Sequence, residues 1–488
     1  MVNKTTFQFN NTYCQLPGQF YDKQLPVPVN APELIYFNAA LVEELNIDVG
    51  DDLAEVFAGN KTPLGAESIS LVYAGHQFGG FVPRLGDGRA VLLGEIIDKN
   101  GVRKDVQLKG SGKTKYSRGG DGRSSIGSVI REFLVSEAMH ALGIPTTRAL
   151  AMVETGENVY REEPLRGGVL TRVASSHIRI GTFEYFAAQG DVDSVRILAD
   201  YSIHRHYPQI ADHENKYLEF YKAVLNRQAQ LVAKWMHVGF IHGVMNTDNV
   251  AISGDTIDYG PCAFMNGYQA KKVFSSIDRY GRYAFSNQMP IMQWNLARFG
   301  ECLLSLIYDN QNVALRMVND ELTRFPEIFN DYYYRGMLAK IGLETIDGEA
   351  VSLVDDLLQL MENYRADFTL TFVYLSESVQ LATARFLNLF NNAPEALAWI
   401  SKWQSVLQKQ GVAIETAVAK MRATNPVVIP RNYMMQKVID DYTKTKDFDS
   451  FRTFLQAITT PFDYDHASAL YTQPPKPEEE VTVTFCGT

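Results

Sequence analysis

Residues 242–249 have the sequence HGVMNTDN and are followed by DYG at residues 258–260. Among these residues, Asn249 and Asp258 supply an amide oxygen and a carboxylate, which are the ligands that a hard divalent cation such as Mg²⁺ prefers. Such a cation often bridges the phosphates of a nucleotide. The alternative is that Asn249 and Asp258 only cap turns between strands. The pattern therefore predicts either a site for a metal-bound nucleotide or a pair of ordinary turns.

The same stretch has the spacing of a protein-kinase catalytic loop, H-R-D-x-x-x-x-N followed by D-F-G. In kinases the Asp of H-R-D accepts the proton of the substrate hydroxyl, and here that position holds Val244. We interpret His242 as a buried histidine that orients the loop rather than as a catalytic base. The metal ligands are retained and the usual base is absent, which indicates nucleotide chemistry that differs from that of an ordinary kinase.

Composition and charge exclude several classes of protein. The chain has 488 residues, 46% of them hydrophobic, which is enough to bury a large core. Its net charge of −10 argues against a general nucleic-acid binder, because such proteins need a basic face to displace counterions from phosphates. The N-terminal residues lack the apolar core of a signal peptide, and no apolar run approaches membrane-spanning length. We expect a cytoplasmic protein with neither a nucleic-acid nor a membrane partner.

The order of the elements predicts an α+β protein with a two-lobed, protein-kinase-like fold. Strand patterns at residues 90–93, 106–108 and 150–153 surround one helix, which begins after Ser125 and ends before Gly143. Later segments are mainly helical, and one of them, residues 217–235, leads into the catalytic loop. Further helices are expected at 34–45, 354–361, 379–389 and 396–407. The predicted domains are an N-terminal arm (1–65), an N-lobe (66–182), a C-lobe (183–330), a helical extension (331–472) and a flexible tail (473–488).

Two segments resemble known phosphate-binding motifs but lack a required glycine. Residues 109–114, KGSGKT, end like a Walker A loop, but Gln107 stands where that motif requires its first glycine. A dinucleotide-binding GxGxxG fails at residues 86–91, because the last required glycine is Val91. The turn at residues 86–89, GDGR, is a weaker candidate: its glycines would let backbone amides approach a phosphate, with Arg89 adding a cation. A plain hairpin turn is the alternative.

Lys109 ends the strand pattern at residues 106–109 and resembles the kinase lysine that holds nucleotide phosphates. A solvated lysine at a strand end is the alternative. A glutamate from the following helix should pair with it, and a helical wheel favours Glu137 over Glu132, because Glu137 lies in the middle of the apolar face. The pattern alone does not decide between the two. Arg172 and Arg179 are equally compatible with phosphate clamps and with solvated charges.

Taken together, these segments resemble the selenoprotein O family, also called the YdiU family of protein adenylyltransferases. The resemblance rests on LKGSG (108–112), YSR (116–118), GDGR (120–123), IREFL (130–134), HGVMNTDN (242–249) and DYGP (258–261), and extends through WNL (294–296), NP (425–426) and RNY (431–433). It implies a kinase-like fold that binds ATP in a flipped orientation and presents the α-phosphate. The implied reaction transfers AMP to Ser, Thr or Tyr hydroxyls of proteins and releases pyrophosphate.

The resemblance also implies roles for particular residues. Asn249 and Asp258 match the magnesium ligands, with Mn²⁺ as the alternative ion, and Asp248 matches the proposed proton acceptor. An acidic group that lies beside the metal without ligating it is the other possibility for Asp248. Glu132, rather than Glu137, matches the partner of Lys109. The positions that match nucleotide contacts are Gly86, Gly88, Arg89, Lys109, Asp121, Gly122, Arg172 and Arg179.

The four cysteines are far apart and suggest neither a zinc site nor a disulfide framework. Cys486 stands where selenium-containing members of the family carry selenocysteine, although the ending FCGT differs from their Ser-rich ending. A redox-dependent bond between Cys486 and Cys262 is a hypothesis that the sequence leaves open. Two other functions also stay open: a phosphotransferase that uses Asp248 as its base, and a nucleotide-binding scaffold without chemistry.

Overall fold

An eight-stranded antiparallel sheet forms the first part of the fold in the computed structural model, which describes residues 4–378 and 383–485. The strands follow the order β1-β3-β6-β7-β10-β9-β2, and β8 pairs with β10. A separate hairpin joins β4 to β5, and β11 pairs with β12. The strands are β1 (Tyr21–Lys23), β2 (Glu33–Phe37), β3 (Ile69–Leu71), β4 (Gly75–Gln77), β5 (Gly80–Val82), β6 (Ala90–Ile97), β7 (Arg103–Lys109), β8 (Ser124–Ser125), β9 (Arg148–Tyr160), β10 (Pro164–Ala174), β11 (Phe240–Ile241) and β12 (Ala263–Phe264).

Helices make up most of the remaining chain. They are α1 (Ala39–Glu44), α2 (Leu53–Ala58), α3 (Ile126–Ala141), α4 (Ile180–Ala187), α5 (Val192–His206), α6 (Lys216–His237), α7 (Gln288–Ile307), α8 (Gln311–Thr323), α9 (Phe325–Lys340), α10 (Gly348–Tyr364), α11 (Phe368–Ser378), α12 (Ala384–Asn388), α13 (Pro394–Lys409), α14 (Ile414–Thr424), α15 (Asn432–Thr445), α16 (Asp449–Ile458) and α17 (Ala469–Thr472). Short 3₁₀ turns lie between them, one of them at Thr247–Asn249.

The register of the sheet places polar groups side by side on one face. Arg172 of β10 lies opposite Gln107 of β7, and Lys109 lies two residues further along β7. Because side chains alternate between the faces of a strand, these three point to the same side. That side is covered by α3, whose N-terminus is capped by Ser125 and which ends before Gly143, as expected. The opposite side buries Val106 and Leu108 in a second apolar cluster with α1 and α2.

The N-terminal segment differs from the expectation. Residues 34–37 of the predicted helix 34–45 belong instead to strand β2, because the run ELIYF pairs with β9 and its aromatic and other apolar side chains suit a strand. Only the later part is helical, and Asn38 caps it by accepting a hydrogen bond from Leu41 N. Strands β1 and β2 lie at the two ends of the sheet order, so the segment predicted as an N-terminal arm contributes two strands to the sheet.

The helical part positions the HGVMNTDN stretch. Helix α6, which covers the predicted 217–235, packs against α7 and α9 and leads directly into β11. Strands β11 and β12 pair on either side of the stretch. The expected helices at 354–361 and 396–407 are confirmed within α10 and α13, whereas the one at 379–389 falls partly outside the described residues. Among the helices that the structure describes, none has the length and apolarity to cross a membrane.

Residues 480–485 of the predicted tail pack against the rest of the protein. Ser276 N donates to Thr484 O at 2.9 Å, and Thr484 N donates to Phe274 O at 2.7 Å. Asn266 Nδ2 donates to Glu480 Oε2 at 3.0 Å. These contacts bring residues 480–485 beside the segment that follows the DYG motif, while Cys486 lies outside the described residues.

Candidate active site

A cleft of about 460 Å³ lies between the turn before β6 and the loop that follows β11. A second cavity of about 590 Å³ adjoins it, with Arg89 and Lys109 in its wall. Arg172 and Arg179 are buried behind the cleft, 2% and 3% exposed. The structure therefore brings all the predicted site residues together, and those that line the cleft itself are Gly86, Gly88, Arg89, Asp121, Gly122, Asp248, Asn249 and Asp258.

Lys109 joins the sheet to the loop. Its Nζ lies 2.6 Å from Glu132 Oε2 of α3 and 2.6 Å from Asp258 Oδ1. The ammonium is buried, so the alternative of a solvated lysine at a strand end is wrong. Glu132 is the helix partner, as the family resemblance implies. Its Oε1 also lies 3.3 Å from Arg172 Nη1, which makes Glu132 the acidic centre between two cations.

The helical-wheel preference for Glu137 is wrong. Glu137 accepts hydrogen bonds from Arg148 Nε at 2.9 Å and Nη2 at 2.8 Å, and from Asn38 Nδ2 at 2.9 Å. It is buried, but it faces the start of β9 and the first residue before α1 rather than the cleft. The wheel correctly placed Glu137 on the buried face and could not tell which neighbour that face would meet.

Asp258 and Asn249 have the chemistry of oxygen ligands. Burial would raise the pKa of Asp258, but Lys109, Arg172 and Arg179 outweigh it and hold that pKa well below its ordinary value. The carboxylate is therefore ionised near neutral pH. Asn249 donates from Nδ2 to Val244 O at 3.1 Å, which fixes the amide and leaves its oxygen as an acceptor. No cluster of three or more His, Cys, Asp or Glu ligands occurs in the part of the chain that the structure describes.

Both buried arginines are held by specific acceptors, so the interpretation of solvated charges is wrong for each. Arg172 donates from Nη2 to Gln107 Oε1 at 2.6 Å. Arg179 donates from Nη1 to Asp248 O at 2.8 Å, and its guanidinium lies 4.5 Å from the centre of the Tyr73 ring. The Nε of each arginine has no partner within the described residues. A buried donor without a partner is costly, so these two Nε groups are unusual within the buried part of the site.

Asp248 is the buried carboxylate of the loop. Its Oδ2 accepts a hydrogen bond from Gln77 Nε2 at 3.3 Å, whereas Oδ1 is buried and has no partner among the residues described. Burial raises the pKa of Asp248 to about 6, against the opposing charge of Arg179. The side chain thus lies in the wall of the cleft with one acceptor oxygen unused.

The β4–β5 hairpin holds this loop, a contact that the sequence pattern did not predict. His76 N donates to Thr247 Oγ1 at 2.7 Å, and Phe78 N donates to Asn246 Oδ1 at 3.0 Å. With the bond from Gln77, three consecutive hairpin residues bind three consecutive loop residues. A Cβ added at Gly75 would lie 2.5 Å from Asp248 Oδ1, so only glycine fits there. The signal in the sequence was the run GHQFGG, which has the glycines of a tight hairpin around three polar or aromatic residues.

The buried carboxyl group of Glu184 contacts both the β4–β5 hairpin and the loop. Glu184 of α4 lies 2.5 Å from His76 Nδ1 and accepts a hydrogen bond from Thr247 Oγ1. Burial raises the pKa of Glu184, and the bonds from Thr247 and His76 act in the opposite direction. The same carboxyl group therefore ties the hairpin and the loop to the first helix after the sheet.

The GDGR turn at residues 86–89 is closely packed on the segment that follows β7. Gly86 has a φ of 72°, and a Cβ there would lie 2.3 Å from the Tyr116 ring. Asp87 points inward, where its Oδ2 accepts from Gln107 Nε2 at 3.0 Å. The turn therefore presents backbone and Arg89 to the cleft rather than the Asp87 carboxylate, which differs from a plain solvent-exposed hairpin.

Comparison with known proteins places this geometry in a family. The family model described as "Protein adenylyltransferase SelO" matches residues 3–459. The chain belongs to the SelO family. Proteins named "Protein nucleotidyltransferase YdiU" are similar over their full length. The one from Rhizobium meliloti (strain 1021) is 52% identical over 490 residues, 99% of this chain and 100% of that protein. The one from Maridesulfovibrio salexigens is 50% identical over 483 residues, 98% of each chain.

Membership of the SelO family confirms the resemblance drawn from the motifs and makes this chain a protein nucleotidyltransferase. ATP and a protein are therefore its substrates. Val244, at the position of the missing kinase base, is buried in this SelO protein, and His242 is buried with Nε2 2.9 Å from Ile257 O. The interpretation of His242 as a residue that orients the loop is consistent with that contact.

One cysteine of the disulfide hypothesis lies in the described part of this SelO protein. Cys262 is fully buried, and burial raises the pKa of its thiol to about 11. A thiol with so high a pKa is rarely the thiolate that attacks a disulfide. The structure thus gives Cys262 no accessible surface for a bond with Cys486, which lies outside the described residues.

Proposed function

We propose that this chain transfers AMP from ATP to Ser, Thr or Tyr hydroxyls of proteins, with Mg²⁺ or Mn²⁺ bound by Asn249 and Asp258. The observation that carries the proposal is the position of the Asp248 carboxyl group in the wall of the cleft, where burial raises its pKa to about 6. It belongs to the loop in which Val244 replaces the kinase base. A carboxylate in this place is suited to accept the proton of an incoming hydroxyl.

The reaction follows from this arrangement. The acceptor oxygen attacks the α-phosphorus of ATP and forms a new P–O bond to AMP. The bond between the α-phosphorus and the oxygen that bridges to the β-phosphate breaks, and pyrophosphate leaves with that oxygen. The hydroxyl proton moves to the Asp248 carboxylate. No oxidant, reductant or further reactant is needed.

Cations supply the second requirement of phosphate chemistry, which is neutralisation of charge. Lys109, Arg172 and Arg179 are buried around Asp258, and preorganised charges in such a site act more strongly than in water. We assign further contacts with the nucleotide to residues of the turns by their position on the cleft wall; these are Gly86, Gly88, Arg89, Asp121 and Gly122.

The donor set fits a magnesium ion. Asp258 is ionised and Asn249 offers an amide oxygen, and Mg²⁺ is usually held by one or two such groups together with substrate phosphates and water. When bound, the ion would neutralise charge on the phosphates. The small number of protein ligands is typical of an ion that arrives with its nucleotide.

A two-lobed, kinase-like arrangement is part of the proposal. The N-lobe would span residues 66–182 and the C-lobe 183–330, with the helical extension at 331–472. The ion pair of Lys109 with Glu132, between β7 and α3, supports it, because kinases connect a strand lysine to a helix glutamate in this way.

Labelled ATP tests the proposal. The full chain is incubated with intact proteins of a bacterial extract and Mg²⁺ or Mn²⁺, with ATP labelled at the α- or the γ-phosphate. We expect α-label on protein and pyrophosphate in solution, and no label from Asp258→Ala, while Asp309→Asn, an exposed carboxylate, behaves like the unchanged chain. Transfer of γ-label would establish a phosphotransferase, and absence of both labels a scaffold. Either result overturns the proposal.

A further inference from the structure

The mouth of the cleft carries exposed apolar side chains that have no part in the chemistry above. Phe78 and Ile277 line the cleft and are 38% and 51% exposed. Tyr280, in the same loop as Ile277, is 98% exposed. We call Phe78, Ile277 and Tyr280 the rim. Apolar side chains grouped on the surface of a protein commonly mark a place where a partner binds.

The rim is fixed relative to the catalytic loop. Asn246 Oδ1 accepts hydrogen bonds from Phe78 N at 3.0 Å and from the Tyr283 hydroxyl at 2.6 Å. Asp278 accepts from Tyr283 N at 2.8 Å, which closes the turn that carries Tyr280. One loop residue thus joins both sides of the rim, two positions before Asp248. A surface held in this way binds a partner without the cost of ordering itself first.

Phe78 breaks a local rule. It sits at the tip of the hairpin with a φ of 52°, a conformation that favours Gly or Asn and is strained for a bulky residue. Its ring packs 5.1 Å from the Tyr283 ring but stays partly exposed. Strain of this kind persists mainly at functional positions. The exposed ring at the mouth of the cleft is therefore better explained by a partner than by packing.

The charge beside the rim is positive. Arg279, between Ile277 and Tyr280, is exposed, and the guanidinium of Arg282 lies 4.8 Å from the centre of the Trp294 ring. Neither arginine forms an ion pair with any residue that the structure describes. The neighbouring acid Asp278 is buried and accepts backbone N–H groups. An acidic group on a partner would therefore meet unpaired cations here.

From these features we infer that the rim binds the segment of the protein substrate that flanks the acceptor hydroxyl. That segment has apolar residues next to the hydroxyl and a carboxylate farther along, which faces Arg279. The inference rests on the proposed function. Phe78 and Ile277 share the cleft wall with Asp248, so a hydroxyl that reaches Asp248 comes near both side chains. The residues beside that hydroxyl must then lie on the rim.

A peptide mixture tests the inference. The full chain is given a dephosphorylated tryptic digest of a bacterial extract with ATP and Mg²⁺, and AMP-bearing peptides are identified by mass spectrometry. We expect labelled hydroxyls to be enriched in apolar neighbours and in Asp or Glu farther along. The double variant Ile277→Ser, Tyr280→Ser should raise the KM for peptides at least about tenfold and leave the KM for ATP unchanged, since each change removes exposed apolar surface that a bound peptide would cover. Arg279→Glu should abolish the preference for acidic residues.

The matched control is Leu397→Ser, an exposed apolar residue of α13 that is 53% exposed and does not line the cleft. It should behave like the unchanged chain. The inference is overturned if labelled peptides have no flanking preference, if the rim variants keep the same preference and KM, or if no peptide is labelled although intact proteins are. Failure of the proposed function is a separate result, because then α-label reaches no intact protein either.

Discussion

Lys109 Nζ lies 2.6 Å from Asp258 Oδ1, so a lysine from the sheet and an acid from the helical part form a partly buried ion pair at the cleft. Glu132 shares the same ammonium at 2.6 Å. Removal of the lysine would take away the cation that Glu132 and Asp258 share and would leave Arg172 as the remaining ion-pair partner of Glu132. This relationship connects the stability of the site directly to its chemistry.

Lys109→Met should therefore lower both stability and activity. Breaking a buried pair from one side costs about 3 kcal/mol, and loss of one preorganised cation reduces transfer about 10²-fold or more. Urea unfolding and α-label transfer measure the two effects. Lys104→Met, on the same strand, is the control and should change neither. An active Lys109→Met protein would show that the ion pair only supports the fold.

The two glutamates of α3 should separate activity from stability. Glu132→Gln removes the negative charge that pairs with Lys109 and Arg172. We expect the rate of AMP transfer to fall at least about tenfold, because the two cations lose their orientation. Glu137→Gln loses a buried ion pair with Arg148, so we expect a loss of about 3 kcal/mol in stability with activity retained in the folded protein. Equal effects of both changes on activity at matched folded fraction would contradict the assignment.

Local patterns indicated which side chains lie close together where the residues are contiguous in the sequence. HGVMNTDN and the strand end at Lys109 each lie within one segment, so spacing alone indicates which side chains share a place. The buried positions of Arg172 and Arg179 were left open, because burial depends on what packs over a strand. Arg172 is buried because it lies opposite Gln107 in the register and beneath α3.

Other parts of the fold depend on contacts between distant segments. The choice between Glu132 and Glu137 needed the path of β9, whose Arg148 meets Glu137. The hairpin at residues 75–82 binds a loop far along the chain, and no periodicity reveals such a contact. Residues 34–37 were predicted as the start of a helix, but they pair with β9, more than 110 residues further along the chain. In each case tertiary pairing outweighed the local pattern.

Asp248→Asn tests the proton acceptor with little change of shape. The amide keeps the volume and can still interact with Gln77, but it cannot take a proton, so we expect transfer to fall by about 10²–10⁴. ATP binding should be preserved, and it can be measured by the increase in melting temperature that ATP causes. If transfer persists at more than about a tenth of the original rate, Asp248 is an acid beside the metal rather than the base.

Lys340 should make stability depend on pH. Its Nζ is buried, donates to Asn425 Oδ1 at 2.8 Å and lies 4.1 Å from the centre of the Phe372 ring. Burial lowers the pKa of Lys340 to about 7, against about 10.4 in an unfolded chain. Between these values the unfolded state binds more protons, so the free energy of unfolding rises with pH, by at most about 1.4 kcal/mol per unit.

Lys340→Met removes that contribution. Urea unfolding of both proteins at pH 7, 8 and 9 should give a steeper rise for the unchanged chain, with the variant at least as stable at pH 7. The comparison cancels other groups that titrate in this range. Parallel pH curves for the two proteins would mean that the lysine stays charged in the folded state.

Two glycines of the hairpin give the most selective test of how Asp248 is held. In Gly75→Ala the new Cβ would lie 2.5 Å from Asp248 Oδ1, so either the carboxylate or the hairpin must shift. A displacement near 1 Å in a catalytic group costs about 10²-fold in rate. In Gly80→Ala, in the same hairpin, the nearest atom is Gln77 O at 3.5 Å, an ordinary contact. We expect α-label transfer to collapse in the first variant and to persist in the second, with ATP binding intact in both. Equal activity of the two would show that the hairpin does not set the position of Asp248.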